Sequence, residues 1–197
     1  MICSLKDLIL DIQLPLPEDL IIYILHEVAS AILIMHNHGR IHRDIKSENI
    51  LISKSGEIKL ADLGCAVQLV MENTMRHTII GTPDYMAPEL ALGNSYDQKI
   101  DIWSFGILAY FLVEGELPYG KESPMKVLSR IAMDESPGFK NPEKWSKELN
   151  EFLSLCLQKT PENRPAIGDL MFYGVFQNIS SSINETFLQI IQDYIGE

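Results

Sequence analysis

Ile41-His-Arg-Asp-Ile-Lys-Ser-Glu-Asn-Ile-Leu51 is the stretch on which the reading of this chain turns. It holds one acid, Asp44, a lysine two residues on, Lys46, and an asparagine three further, Asn49. It lies between a long helical pattern and the first of two short strands, where a loop held by scaffold at both ends can aim side chains at one point. Those residue types suit phosphoryl transfer. A carboxylate orients a hydroxyl, an ammonium offsets phosphate charge, and an amide oxygen ligates Mg²⁺. Thirteen residues after Asn49 comes Asp62-Leu-Gly64, directly after the second strand, where a hard carboxylate supplies a second oxygen to the same metal.

Working outward, Glu18 to about His38 carries Leu20, Ile21, Ile24, Leu25, Val28, Ala31, Ile32 and Met35. It is apolar nearly all round and is predicted to be a buried central helix. Before it, Ser4-Leu-Lys-Asp7 reads as a capping box opening a short helix that Leu14-Pro-Leu-Pro17 breaks. After the quoted stretch, Ile50–Ser53 and Glu57–Leu60 flank the Lys54-Ser-Gly56 turn as two strands. Met71 to Pro88 is irregular and polar, a loop long enough to suggest function. Gln98 to Glu114 reads as a second core helix, with Trp103, Phe105 and Phe111 as core side chains. Pro124–Met133, Ser146–Leu157 and Pro165–Phe172 are shorter helix candidates, the last with proline in its first turn. Ser182-Ile-Asn-Glu185 reads as a second capping box before Phe187, Ile190, Ile191, Tyr194 and Ile195 at helical spacing.

The chain has 197 residues, room for one domain, and shows no internal repeat. Acidic residues number 27 against 16 basic, a net charge of −11. That excess argues against nucleic acid or an anionic membrane surface as the main partner and suits a basic peptide. Cys3, Cys65 and Cys156 are few, scattered and without CxxC spacing, which fits a reducing compartment and neither a disulfide framework nor a zinc site. The apolar run Ile107–Val113 is too short to span a bilayer, and the first residues lack the basic region of a secretory signal. The two glycosylation-type triplets at Asn178 and Asn184 therefore read as chance. His26, His36, His38 and His77 show no metal-ligand spacing.

Several motifs now stand in one order: His42-Arg-Asp-Ile-Lys-Ser-Glu-Asn49, Asp62-Leu-Gly64, Gly81-Thr-Pro-Asp-Tyr-Met-Ala-Pro-Glu89, Asp101-Ile-Trp-Ser-Phe-Gly106, Gly115-Glu-Leu-Pro-Tyr119 and Arg164-Pro165. In that order and spacing the sequence resembles the eukaryotic protein kinase family. The Thr78-Ile-Ile-Gly-Thr-Pro pattern looks closest to the STE group, kinases of the p21-activated and MAP-kinase-cascade type. The resemblance covers essentially the whole chain but lacks the family's GxGxxG loop, its VAIK-type lysine and that lysine's glutamate partner. Met1–Ile9 resembles the segment just after the hinge between the lobes. The resemblance thus implies an α+β, mainly helical fold: the C-terminal, large lobe of a kinase with short hairpins at a catalytic floor and the N-terminal lobe absent. Residues 1–197 would be a partial kinase domain, with an activation segment over 62–89 and a C-terminal helix over 180–195.

The resemblance also implies roles. Asp44 matches the base that accepts the substrate hydroxyl's proton, Lys46 the lysine that steadies the transferring phosphate and marks serine/threonine specificity. Thr82 matches the threonine that bonds both. Asn49 and Asp62 match the Mg²⁺ ligands. Lys46, Glu48, Asn49, Leu51 and Asp62 fall around the ATP, with Leu51 beneath the adenine and Glu48 also facing the incoming peptide. Thr78 is expected as the activating phosphosite, paired with Arg43 and filled by an upstream kinase or by autophosphorylation. Glu89 and Arg164 are expected to form a buried ion pair. His42 reads as a packed residue that positions the loop, Cys65 as an ordinary thiol in preference to a redox-sensitive one, and Leu63, where the family usually has phenylalanine, as an apolar residue filling the same packing position. The implied function is transfer of the ATP γ-phosphate to serine or threonine hydroxyls of cytoplasmic protein substrates, with basic residues before the acceptor. A catalytically silent docking module is the alternative, since the clamp residues are missing. A small-molecule kinase is disfavoured by the long loop ending in the Gly81–Glu89 motif, which resembles a peptide-binding platform.

Overall fold

A computed structural model describes residues 1–12, 16–68, 81–177 and 179–196. Thr78 and His77 lie outside the described residues, as does most of the long polar loop.

Two helices carry the core. Helix α4 (Lys99–Glu114) is buried at every position from Ile100 to Leu112. A helix apolar on all sides has to be enclosed on all sides. It begins where the Asp97 carboxylate accepts the Lys99 amide hydrogen at 2.8 Å. Helix α2 (Glu18–Asn37) packs against it and buries Leu20, Ile21, Ile24, Leu25, Val28, Ala29 and Ile32. The sequence suggests a helix enclosed all round. The structure gives one buried face, with Ala31 and Met35 half-buried and Ile34 63% exposed. By length and composition α2 is long and apolar enough to cross a membrane; here it is the core helix, set against α4 and the floor sheet.

That floor is a three-stranded antiparallel sheet of β1 (Cys3–Ser4), β3 (Ile50–Ile52) and β4 (Ile58–Leu60), in the order β1-β3-β4. The register sets Ser4 against Leu51 and Leu51 against Lys59. Alternation then buries Ile50 and Ile52 on the α2 side and turns Leu51 to the opposite face. A second ribbon pairs β2 (Arg40–Ile41) with β5 (Val67–Gln68), tying the two flanks of the Ile41–Leu51 stretch. Strands β1, β2 and β5 have two residues each, too few to show a period in sequence.

The remaining helices are α1 (Leu5–Ile12), α3 (Pro88–Ala91), α5 (Pro124–Met133), α6 (Lys147–Cys156), α7 (Ile167–Leu170) and α8 (Ile183–Ile195). The first capping box forms: Ser4 Oγ accepts the Asp7 amide hydrogen at 3.2 Å, and the Asp7 carboxylate accepts the Ser4 amide hydrogen at 3.1 Å. The second does not. Ser182 Oγ pairs with Ser180 Oγ at 2.9 Å and makes no side-chain cap, so α8 starts uncapped. The helix expected from Pro165 is one turn only, because Ala166 remains extended as its cap. Gly106 lets α4 and α6 meet: a Cβ there would stand 2.7 Å from Cβ of Cys156.

Candidate active site

The quoted stretch is held from below by one buried carboxylate. Asp101, in the first turn of α4, is fully enclosed and accepts the amide hydrogens of His42 at 2.8 Å and Arg43 at 2.9 Å. His36, in the last turn of α2, donates to the same carboxylate from Nε2 at 2.9 Å. These bonds sustain Arg43 in a left-handed conformation, φ 69°, which a residue with a side chain seldom adopts unaided. His42 is fully buried; its Nε2 donates to the Ala61 carbonyl at 3.0 Å and its Nδ1 accepts from the Asp44 amide at 3.3 Å. Both ring nitrogens are committed to backbone, which makes the residue a brace between the loop and the end of β4.

Asp44 is thereby turned into a cluster. Its Oδ2 lies 2.8 Å from the Lys46 ammonium, and its Oδ1 accepts from the Thr82 hydroxyl at 3.0 Å. Lys46 donates to Thr82 Oγ1 at 2.9 Å, closing a triangle. The Asn49 amide donates to the Asp44 carbonyl at 2.8 Å and to its Oδ2 at 3.0 Å. Burial alone would raise the Asp44 pKa. The hydrogen bonds from Lys46 and Thr82, the Lys46 charge and the Asn49 amide outweigh it and hold the carboxyl below its usual range. The result is a buried carboxylate whose partners favour its charged form.

On the other side of the same floor, the Asn49 carbonyl accepts the Ala61 amide hydrogen at 2.8 Å. Asn49 and Asp62 therefore flank one end of the β3–β4 pair. Asp62 is exposed and left-handed at φ 62°, with one carboxylate oxygen accepting from the Gly64 amide at 3.2 Å. Asn49 spends its NH₂ on Asp44, which leaves the amide oxygen as its outward donor atom. One amide oxygen and one carboxylate suit Mg²⁺, which takes few protein ligands and fills its shell with phosphate and water. Among the described residues no cluster of three or more His, Cys, Asp or Glu is placed to hold a metal ion more fully. Leu51 is half-buried on the face opposite the core. Leu63 is 54% exposed, so it does not fill the packing position expected of it.

Glu48 is paired within the chain: the Lys6 ammonium from α1 lies 2.8 Å from its Oε1. Its second oxygen accepts from Ser47 Oγ at 3.2 Å, and Ser47 Oγ in turn pairs with the Tyr85 hydroxyl at 3.1 Å. Burial pushes the Tyr85 hydroxyl up to about 12, so it stays a donor. This relay fastens the Thr82–Tyr85 turn to the loop carrying Asp44. Gly81 opens that turn at φ 117°, where a Cβ would come within 2.8 Å of the Arg43 carbonyl. Further along, Glu89 and Arg164 meet in a two-pronged pair, both oxygens 2.7 Å from guanidinium nitrogens. The Arg164 side chain is fully buried, also donating to the carbonyls of Gln158 and Lys99 and lying 5.2 Å from the Trp103 ring centre.

The structure thus brings Asp44, Lys46, Asn49 and Thr82 into direct contact, sets Asp62 and Leu51 on the adjoining floor, and pairs Glu89 with Arg164. Thr78 is outside the described residues. Its expected partner Arg43 donates, among the described residues, to the Cys65 carbonyl at 2.5 Å and the Tyr96 hydroxyl at 3.2 Å. Sequence reasoning missed His36 and Lys6, whose partners lie 65 and 42 positions away and leave no local spacing signal.

Comparison with known proteins points to one family. The protein kinase domain family matches residues 2–176. Serine/threonine-protein kinase pakA of Dictyostelium discoideum is 45% identical over 163 residues, 83% of this chain and 14% of its own length. Serine/threonine-protein kinase SKM1 of Saccharomyces cerevisiae is 42% identical over 159 residues, 81% of this chain and 24% of its own. Serine/threonine-protein kinase CLA4 of the same yeast is 40% identical over 162 residues, 82% of this chain and 19% of its own. The chain spans well under a third of the length of these three relatives. With a family match across nearly all of its helices and floor strands, and relatives of the PAK type, this chain belongs to the protein kinase family, in the STE group.

Proposed function

We propose that the described surface is the metal- and acceptor-side floor of a protein serine/threonine kinase, which moves the γ-phosphate of ATP onto hydroxyls of protein substrates. The observation that carries the reading is the ionised Asp44 carboxylate, fixed between Lys46 and Thr82 and braced by Asn49. Such a carboxylate orients an acceptor hydroxyl and takes its proton. Lys46 offsets charge on the transferring phosphate, and Thr82 keeps acid and lysine in register. Asn49 and Asp62 would hold Mg²⁺, which when bound neutralises phosphate charge. Leu51 would lie under the adenine. The family match and the named serine/threonine kinases among the relatives do not favour a silent docking module.

The same reading extends to regulation and specificity. Residues 1–197 form part of a kinase domain, Thr78 takes an activating phosphate from another kinase or from a second copy, and Arg43 pairs with it after releasing Tyr96. Glu48 favours basic residues in the substrate, and a substrate cation there competes with Lys6. Three free cysteines suit a reducing, cytoplasmic setting.

The test is a split between turnover and binding in the full gene product. Asp44→Asn should lower kcat by about 10²–10⁴-fold, with ATP affinity within a few-fold. Asp62→Asn should instead weaken Mg²⁺-dependent nucleotide binding. Near-normal kcat in Asp44→Asn would overturn the assignment.

A further inference from the structure

Helix α8 begins seven residues beyond the stretch that matches the kinase family, yet it is built into the floor. Its Ile183, Phe187 and Ile191 recur every four residues and are buried. The Phe187 ring meets Tyr23 of α2 edge-on, centroids 5.8 Å apart. One residue on, Leu188 covers the β3–β4 turn. Gly56 at that turn is buried although it sits at a loop tip, and a Cβ on it would lie 3.0 Å from Leu188 Cδ2. At the far end, the Tyr194 hydroxyl donates to Asp11 of α1 at 3.3 Å. Between these two contacts a cleft of about 450 Å³ stays open, lined by Asp11, Ile12, Ile190, Asp193 and Tyr194.

We propose that α8 is a positioning element for the nucleotide floor: Leu188 pins the β3–β4 turn and Tyr194 pins α1, the helix that continues β1, so one helix braces both flanks of the sheet around Leu51. The middle strand, β3, carries Leu51, and β1 and β4 flank it. Holding the two flanks sets the height of the face that Leu51 presents. No hydrogen bond or ion pair among the described residues joins the Asp44–Lys46–Thr82 triangle to α8. Loosening α8 should therefore affect nucleotide binding and leave the chemical step alone; that part rests on the proposed function, whereas the pinning of the strands does not.

The experiment uses the full gene product with Leu188→Ala, the conservative Leu188→Met and Tyr194→Phe. Leu188 and Tyr194 are only half-buried, so these variants keep the core residues Phe187 and Ile191. Amide hydrogen exchange should rise several-fold over residues 50–60 in Leu188→Ala and over residues 2–12 in Tyr194→Phe, with α4 and α6 unchanged. Leu188→Met should restore the wild-type pattern. The ATP KM should rise several-fold in Leu188→Ala with kcat within twofold. Unchanged exchange on the floor overturns the proposal, as does a uniform rise that includes α4, or a fall in kcat at constant KM. If the wild-type protein transfers no phosphate, the functional reading fails and the exchange pattern alone decides the role of α8.

Discussion

Asp44 illustrates how one side chain is tuned by what is brought to it from a distance. Lys46 and Asn49 are neighbours in sequence, but Thr82 arrives from 38 positions on. Because the folded carboxyl titrates below its unfolded value, it contributes stability that is present above the ordinary carboxylate pKa of about 3.9. That stability is lost as pH falls through the lower, folded value. Lys46→Met removes the ammonium 2.8 Å from Asp44 and should move the acid unfolding transition of the folded chain to higher pH, read by circular dichroism. An unchanged transition would mean that Asp44 is not held ionised by Lys46. Arg164 is the second residue whose worth can be measured. With its side chain fully enclosed and five donors largely satisfied by Glu89 and carbonyls, Arg164→Ala strands a buried carboxylate and should cost roughly 3–5 kcal/mol. At roughly 2–4 °C per kcal/mol for a chain of this size, the melting temperature should drop clearly. An unmoved Tm would say the pair contributes nothing.

At the level of elements, the site depends on where backbones approach one another. Gly81 joins the end of the long loop to the Asp44 loop, and a methyl group there meets the Arg43 carbonyl at 2.8 Å with nothing flexible to yield. Gly81→Ala should cost about 1–3 kcal/mol in strain and shift Thr82 away from Asp44. A Gly81→Ala variant with wild-type Tm and kcat would refute that. These approaches explain how much could be read beforehand. The long helices were legible because α4 is apolar on nearly every face, with only Asp101 and Ser104 polar between Ile100 and Val113, and the family because its motifs stand in one order along the chain. The β1, β2 and β5 pairings were not, since two-residue strands carry no period. The second capping box misled because Ser180 offered Ser182 a closer partner than the helix did. His36 was legible as helix but not as a brace, because its partner Asp101 is supplied by α4.

At the scale of the molecule, the proposed acceptor and metal groups, Asp44, Asn49 and Asp62, lie along one floor, and the sequence has no glycine-rich loop or lysine–glutamate pair of the kind that would fix the α- and β-phosphates. Phosphoryl transfer depends on positioning and preorganised charge, so half of the clamp forfeits most of the rate. The 197 residues by themselves should gain little thermal stability from Mg²⁺ and ATP and show at most trace phosphorylation of a basic protein. Robust activity of the isolated chain, abolished by Asp44→Asn, would show that the missing groups are dispensable. The central claim is that Asp44 directs γ-phosphate onto serine or threonine, and the most direct measurement is transfer itself. The full gene product is incubated with γ-labelled ATP, Mg²⁺ and a basic protein, and the labelled amino acid is identified, for wild type and Asp44→Asn side by side. Label should appear on serine or threonine in the wild type and fall by about 10²-fold or more in the variant. Label confined to tyrosine, or undiminished transfer by Asp44→Asn, would contradict it.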